Sequence, residues 1–252
     1  MSENPTMTIL ETQGLTRRFG GLTAVENVDF SLRKGEIRAI IGPNGAGKTT
    51  FFNLITGMLK PTSGKIFFKG GDISTLPPYR RVKLGIGRSF QLINIFPELS
   101  IRENVEIAVQ ARFKKRTSPL EIVDRGMVRR WSQDLVARFE WTEESKVKAG
   151  TLTHAGQKKL ETILALASEP ELLLLDEPTA GMDESEMSFT IDLIKDTSKN
   201  RTVLLTDHDV KFIMRIATQI TVLHQGKIIA EGLPLDISRN REVEEAYLGG
   251  IA

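Results

Sequence analysis

The 252-residue sequence contains no cysteine and no marked excess of either charge. Without cysteine there is no disulfide framework, no cysteine nucleophile and no zinc or iron–sulfur site built on thiolates. The 34 lysines and arginines nearly balance the 32 aspartates and glutamates, so the formal net charge is +2. This balance gives no electrostatic argument for a nucleic-acid partner, and we expect none.

Long apolar runs are missing as well. No uninterrupted run approaches the ~18 residues that indicate a membrane-spanning helix. Residues 1–6 have neither the basic start nor the apolar stretch of a secretion signal. We therefore expect a cytoplasmic chain that does not cross a bilayer alone, although such a chain can still dock on a membrane protein.

The composition that remains is typical of a folded globular protein. Hydrophobic residues make up 40% of the chain and charged residues 26%, close to the averages for soluble domains. The length fits one large domain or one domain with an insertion. We predict a single domain over residues 1–252, with a core formed by residues 8–92 and 157–249 and a helical subdomain at about 93–156.

The first part of the chain has strand patterns followed by a strand, a loop and a helix. Alternating apolar residues between Thr8 and Leu32, interrupted by Gly20-Gly21, predict an antiparallel edge layer. Residues 36–41 form a short β-branched run that ends in a glycine-rich loop, and a helical pattern follows from Thr49 to Leu59.

The second part of the chain begins with helical patterns, and strand and helix patterns alternate after them. Two amphipathic stretches, Arg102–Phe113 and Leu120–Phe139, predict helices. Strand patterns at Leu172–Leu175 and Thr202–Thr206 then alternate with helical ones, which predicts a parallel sheet. The other elements predicted here are helices at about Gln157–Ser168, at Ser185–Lys195 and up to Ala217, and a hairpin around Gln225-Gly226.

The glycine-rich loop fits the pattern G-x-x-x-x-G-K-[ST] between a strand and a helix, as that motif requires. Backbone N–H groups of such a loop point at polyphosphate oxygens, and the start of the helix adds a positive dipole end. Lys48 is predicted to reach the β- and γ-phosphates, and the Thr49 hydroxyl to bind Mg²⁺. The complete spacing argues against an ordinary glycine-rich turn. The predicted nucleotide-binding residues of the loop are Gly42, Pro43, Asn44, Gly45, Ala46, Gly47, Lys48, Thr49 and Thr50.

A second signal is the pair of acids that follows the apolar strand Leu172–Leu175. Asp176 and Glu177 stand at its C-terminal end, where open α/β sheets bind ligands. Alone, two acids after a strand are as often a solvated strand end or a helix cap. Together with the phosphate loop they predict ATP hydrolysis, with Asp176 holding Mg²⁺ through water and Glu177 accepting a proton from the attacking water.

These motifs, with others in the same order, resemble those of ABC-transporter ATPase subunits from about residue 8 to residue 249. The resemblance implies an α/β fold with a P-loop NTPase core, a parallel sheet, an antiparallel β edge layer and an inserted α-helical subdomain. It also implies ATP and Mg²⁺ as ligands. Lys48 with Mg²⁺ then stabilises the charge that develops on the phosphates.

Four further segments carry the resemblance. Gln91 is similar to the glutamine of the glutamine loop, which contacts Mg²⁺ and the attacking water and faces the membrane subunits. His208 resembles the switch histidine that contacts the γ-phosphate. Phe19 matches the aromatic residue that stacks on adenine, with a place in the apolar core as the alternative. Residues Ala180–Asp183 resemble the loop at which two such subunits meet.

The family's signature segment, usually Leu-Ser-Gly-Gly-Gln or Leu-Ser-x-Gly-Glu, is altered here. Counting from Leu152 places Ala155 at the signature glycine and Gly156 at the Glu/Gln position, whereas a slip of one residue places Gly156 at the glycine. The segment starts a helix whose N–H groups approach the γ-phosphate held by the partner subunit, so an added Cβ there crowds that site.

Further segments, among them Gly85–Gln91 and Glu245–Gly249, are similar to ATP-binding subunits of branched-chain amino acid importers. The resemblance implies an energy-coupling ATPase at the cytoplasmic face of the inner (plasma) membrane. Its partners are integral-membrane permease subunits, a homologous ATPase subunit (usually a different chain, alternatively an identical copy) and, indirectly, a periplasmic or extracellular substrate-binding protein. A urea or short-chain amide importer, a lipopolysaccharide-export-type ATPase and a non-transport ABC ATPase remain alternatives.

Two other features are interpreted as structural. His154 and His224 have no cysteine or neighbouring histidine to complete a metal site. The basic run at residues 112–116 is more typical of a solvated helix end than of a nucleic-acid or lipid patch in a nearly neutral chain.

Overall fold

A computed structural model of the chain describes residues 7–89, 94–113 and 124–248. Within these residues the strands are β1 (Thr8–Phe19), β2 (Leu22–Arg33), β3 (Ile37–Ile41), β4 (Ser63–Phe68), β5 (Gly71–Asp72), β6 (Ile86–Arg88), β7 (Leu172–Asp176), β8 (Thr202–Thr206), β9 (Gln219–His224) and β10 (Lys227–Gly232). The α-helices are α1 (Lys48–Thr56), α2 (Pro78–Leu84), α3 (Ile101–Phe113), α4 (Arg125–Arg138), α5 (His154–Ala167), α6 (Glu184–Ser198), α7 (Val210–Ile216), α8 (Pro234–Ile237) and α9 (Arg241–Leu248).

The strands form two sheets. One is antiparallel, in the order β2-β1-β4-β5, and the other has the order β10-β9-β3-β8-β7-β6. In the six-stranded sheet β9, β3, β8, β7 and β6 are parallel, and β10 pairs antiparallel at one edge. The predicted α/β fold, with a parallel sheet and an antiparallel β layer, is confirmed.

Strand β7 shows how the six-stranded sheet is buried on both faces. Side chains alternate across a strand, so Leu172 and Leu174 join the apolar cluster under α1 and the antiparallel sheet. Leu173 and Leu175 join the cluster formed with α3 to α7. Such continuous apolar strands are expected where helices or sheets cover both faces. The alternation also puts the side chain of Asp176 on the face that α1 covers.

The C-terminal ends of three parallel strands meet at one edge of this sheet. Asp176 is in register with Thr206 at the ends of β7 and β8, and Ala39 of β3 is in register with Leu205. The loops that follow these three strands therefore lie side by side, as ligand-binding loops do in open α/β sheets.

Two predicted helix boundaries are corrected. Helix α1 ends at Thr56 rather than Leu59 because Gly57 takes a left-handed conformation with φ of 78° and stops it. Helix α5 begins at His154 rather than Gln157 because the Thr153 hydroxyl accepts a hydrogen bond from the backbone N–H of Gly156, at 3.1 Å, and caps the helix.

Helices α3 and α4 pack against α5 outside the strand–helix alternation. Val105, Val109, Leu135 and Phe139 of this region share one apolar cluster with Ile163 of α5. Residues 120–123 of the predicted second helix lie outside the described part of the chain, and α4 begins after its cap, Asp124. None of the described helices combines the length and the apolar composition that crossing a membrane requires.

Candidate active site

The phosphate loop joins β3 to α1, and its backbone is shaped by glycine. Gly42, Gly45 and Gly47 have φ of 153°, 79° and 104°, values that side chains disfavour. An ideal Cβ on Gly42 would lie 2.0 Å from the Leu223 carbonyl oxygen, and one on Gly47 would lie 2.3 Å from that of Ala24. Strands β2 and β9 therefore hold the loop too closely for any other residue at these positions.

Lys48 lies folded back onto this loop. Its Nζ donates to the carbonyl oxygens of Gly42 and Pro43 at 2.5 and 3.0 Å. Burial lowers the pKa of Lys48, and the negative charges of Glu177 and Asp176 act in the opposite direction. The structure thus brings Lys48 and both predicted acids within electrostatic reach of one another.

Asp176 ends β7 and is 1% exposed at its side chain, where Arg88 of β6 meets it at 2.9 Å between Nη2 and Oδ2. Burial raises the pKa of Asp176 above its ordinary value, whereas the hydrogen bond and the charge of Arg88 act to lower it. The pairing follows from burial, since an unpaired carboxylate in an apolar surrounding is strongly disfavoured.

Glu177 and His208 meet across the edge of the sheet. The His208 Nε2 lies 2.6 Å from the Glu177 Oε1, and the Glu177 backbone N–H donates to the Thr206 carbonyl oxygen at 2.8 Å. Glu177 has a φ of 50°, which is unusual for a residue with a side chain and is often found at functional sites. The residue before His208, Asp207, is buried and accepts a hydrogen bond from the Thr179 hydroxyl at 2.6 Å, which ties the loop after β8 to the loop after β7.

The residues at this edge fit a magnesium ion bound together with phosphates. In the described ranges no group of three or more His, Asp or Glu side chains forms a metal cage of its own. Mg²⁺ usually binds through one or two carboxylates, waters and substrate phosphates. Asp176 and the exposed Thr49, in the first turn of α1, offer such oxygen donors.

Two predicted ligand residues have different outcomes. Gln91 lies outside the described residues. Phe19 ends β1 at the tip of the β1–β2 hairpin; it is 42% exposed, and the Arg17 guanidinium lies 4.5 Å from its ring centroid. Its exposure argues against the alternative that Phe19 belongs to the apolar core.

The altered signature segment starts helix α5. Thr153 caps that helix, and in the alignment counted from Leu152 it stands at the serine of the family's segment. Ala155 is buried. The ring Nδ1 of His154 lies 3.2 Å from the Ala180 carbonyl oxygen, so the structure joins this segment to the predicted subunit-contact loop within one chain.

The sequence analysis missed three residues next to the site. Arg88 holds Asp176, Gly226 donates from its backbone to the Ala46 carbonyl oxygen at 2.9 Å, and Tyr247 borders a cavity of about 430 Å³ with Gly42 and His208. Burial raises the pKa of Tyr247, opposed by a hydrogen bond with the Gly42 backbone. Gly226 was part of the predicted hairpin turn, and Arg88 and Tyr247 lie in two segments that carry the family resemblance. None of the three was assigned a contact at the site, because each contact joins segments far apart in the sequence.

Comparison with known proteins matches residues 25–180 to the family described as ABC transporter. The high-affinity branched-chain amino acid transport ATP-binding protein LivG of Salmonella typhimurium is 37% identical, over 96% of this chain and 98% of LivG. The corresponding protein BraF of Pseudomonas aeruginosa is 38% identical, again over 96% of this chain and 98% of BraF.

Solved structures agree. An ATP-binding cassette of an ABC transporter in its ADP conformation has a TM-score of 0.85 and 29% identity, covering 97% of this chain and 100% of that one. A dimeric cassette in a post-hydrolysis state with ADP and Pi has a TM-score of 0.79 and 26% identity, covering 90% and 99%. The predicted resemblance is confirmed, and the chain belongs to the ABC transporter family as one of its ATP-hydrolysing nucleotide-binding subunits.

Proposed function

We propose that this chain is the energy-coupling ATPase subunit of an importer for branched-chain, hydrophobic amino acids. The observation that carries the catalytic part is the convergence of Lys48, Asp176, Glu177 and His208 at one edge of the sheet, around the phosphate loop. The likeness to LivG and BraF over nearly the whole chain supports the substrate class.

In this proposal ATP binds with its phosphates on the backbone N–H groups of residues 44–50 and its adenine against Phe19. Lys48 exchanges its two loop carbonyls for the β- and γ-phosphates, which its flexible stem permits. Thr49 and Gln91 would hold Mg²⁺, and Asp176 would hold it through water; the ion, when bound, would neutralise charge on the phosphates. The loop amides add fixed dipoles that need no rearrangement during the reaction.

Glu177 is the proposed general base. It takes a proton from the attacking water as the water oxygen bonds to the γ-phosphorus, and the bond to the ADP oxygen breaks. His208 orients this carboxylate through the 2.6 Å contact and is proposed to turn to the γ-phosphate when ATP binds. Gln91 is proposed to contact the same water.

Two ATP molecules are proposed to join this chain to a homologous subunit, each bound between one phosphate loop and the partner's signature segment. The dimeric cassette with ADP and Pi supports this arrangement. Ala155 then belongs to the segment that meets the partner's nucleotide, so any effect of its methyl group falls on that composite site. A pair of two different chains tolerates such a change, since the other site keeps its own signature.

The permease subunits are proposed to dock near Gln91 and residues 95–103, at the cytoplasmic face of the membrane. Phe96 presents its ring to solvent and is 55% exposed. The buried Asn104 fixes the backbone beneath it, accepting from the Phe96 N–H at 2.8 Å and donating to the Phe96 carbonyl oxygen at 3.0 Å. A rigidly presented apolar ring is typical of an interface anchor.

The test is uptake by the native cell of labelled leucine and labelled urea, with the gene intact, deleted, or replaced by Lys48→Ala. We expect deletion and Lys48→Ala to abolish leucine uptake alone. Loss of urea uptake alone would move the substrate to the amide class, and loss of neither would refute the import role.

A further inference from the structure

Arg88 connects three elements of the site through one guanidinium group. Its Nη2 meets the Asp176 Oδ2 of β7 at 2.9 Å, while its Nη1 donates to the Asn53 Oδ1 at 2.6 Å and to the Thr56 Oγ1 at 3.1 Å, both on α1. Asn53 and Thr56 are three residues apart and therefore share one helix face. The planar fork of arginine suits two such partners at once, which a lysine ammonium does not.

The Arg88 network is buried and joins the elements that carry the predicted functional groups. The Arg88 and Asp176 side chains are 7% and 1% exposed, so their geometry is fixed by packing. The Phe52 ring of α1 also lies beside the guanidinium, with 5.8 Å between the ring centroid and the Arg88 Cζ. Helix α1 carries the phosphate loop at its other end, β7 carries the metal-binding acid, and β6 leads within three residues to Gln91.

We propose that Arg88 is a positioning residue that holds the Asp176 carboxylate in the orientation required for Mg²⁺ and ties it to the helix of the phosphate loop. This inference rests on the proposed function, because it takes Asp176 as the carboxylate that holds Mg²⁺ through water. Groups outside the direct ligands that orient a metal site typically affect metal affinity ten- to a hundredfold. In this proposal Arg88 acts through Asp176 and is not itself a contact of the substrate or the metal.

The test measures binding of fluorescent ADP by the purified full chain, in EDTA and along a Mg²⁺ titration. For Arg88→Met we expect ADP affinity in EDTA within about twofold of wild type and a half-saturating Mg²⁺ concentration raised about tenfold or more. Arg88→Lys should recover part of this loss, since an ammonium keeps the charge beside Asp176 but cannot also hold α1.

A second variant avoids leaving Asp176 unpaired. Asn53→Ala with Thr56→Val keeps the Arg88–Asp176 pair and releases only its attachment to α1, so we expect a smaller shift in the same direction, about threefold by the same outer-shell reasoning. It keeps the proposal testable if Arg88→Met does not fold.

The matched control is Arg38→Met. Arg38 is also a buried, ion-paired arginine, bonded to Glu36 and Glu231 at 2.5 and 2.9 Å, but it stands near the start of β3, away from Asp176. We expect it to lower thermal stability without moving the Mg²⁺ midpoint.

Four results would overturn the role of Arg88: an unchanged Mg²⁺ midpoint in Arg88→Met, a lower one, loss of ADP binding already in EDTA, or an equal shift in Arg38→Met. If wild type itself gained nothing from Mg²⁺, the magnesium site of the proposed function would be at fault instead.

Discussion

At the scale of single residues, the Glu177 carboxylate is the group whose charge the proposed reaction uses directly. Glu177→Gln keeps the shape and the contact with His208 but removes the proton acceptor. We expect ATP to remain bound while turnover in the assembled complex falls about a hundredfold or more, the usual contribution of a general base. The measurement is steady-state phosphate release together with the ATP retained by the complex.

The control for this variant is Glu171→Gln, which also replaces a glutamate by its amide. Glu171 is partly exposed and bonded to Lys69 at 2.6 Å, outside the site, so its removal should leave the rate unchanged. A hydrolysis rate that Glu177→Gln does not alter would refute the role of Glu177.

Alanine substitutions at two glycines of the phosphate loop distinguish the cost of a steric clash from the cost of a left-handed backbone. An ideal Cβ on Gly45 would have no atom within 4 Å, so Gly45→Ala meets only the cost of a left-handed residue, about 1–2 kcal/mol. Gly42→Ala places its Cβ against the Leu223 carbonyl oxygen and should cost more, because strand backbone cannot move aside. Thermal unfolding and ADP binding of both variants check this order, and equal losses would contradict it.

At the scale of elements, the N-terminus of α5 decides whether the altered signature segment limits catalysis. Ala155→Gly restores the family's glycine in the first turn of α5, at a cost of about 0.5–1 kcal/mol in helix stability. We expect a higher ATPase rate in the complete assembly, measured per complex. Gly156→Ala is the control: its Cβ would meet Leu152 at 3.2 Å, and it should give no gain.

No increase with Ala155→Gly would mean that the Cβ does not limit the composite site or that the alignment slips by one residue. The sequence favours the unslipped alignment, because only counting from Leu152 puts a hydroxyl residue, Thr153, at the family's serine.

The elements predicted correctly are those whose pattern is local. β7 and β8 are continuous apolar runs, and the phosphate loop has its own spacing. β6 is only three residues long, too short for any periodicity, and forms by pairing with β7. Arg88 lies on that strand, so its contact with Asp176, 88 residues away, required tertiary structure. The sequence predicted separate roles for Glu177 and His208, but it did not predict the contact between their side chains.

At the scale of the whole molecule, the proposed coupling requires an exposed surface that communicates with a buried site. The loop bearing Phe96 is joined to α3 through Asn104, and to α5 through the Asn94 N–H, which donates to the Glu161 Oε1 at 2.8 Å. Helix α5 begins with the signature segment. Hydrogen bonds therefore connect the loop that bears Phe96 to the helix whose first turn lies at the face where two subunits are proposed to meet.

Phe96→Glu tests that surface. A carboxylate in an apolar pocket of the permease is strongly disfavoured unless it is paired, so we expect weaker binding to the permease and loss of transport-coupled ATP hydrolysis. Nucleotide binding by the isolated chain should stay unchanged, since the ring faces solvent.

Leu235→Glu is the matched control: Leu235 is 64% exposed on α8, so the same charge is added elsewhere. Co-purification with the permease and uptake are the two measurements. If both variants retained the permease equally, docking through Phe96 would be wrong; if only Phe96→Glu lost it, the loop that follows Gln91 would be the point at which ATP hydrolysis acts on the membrane subunits.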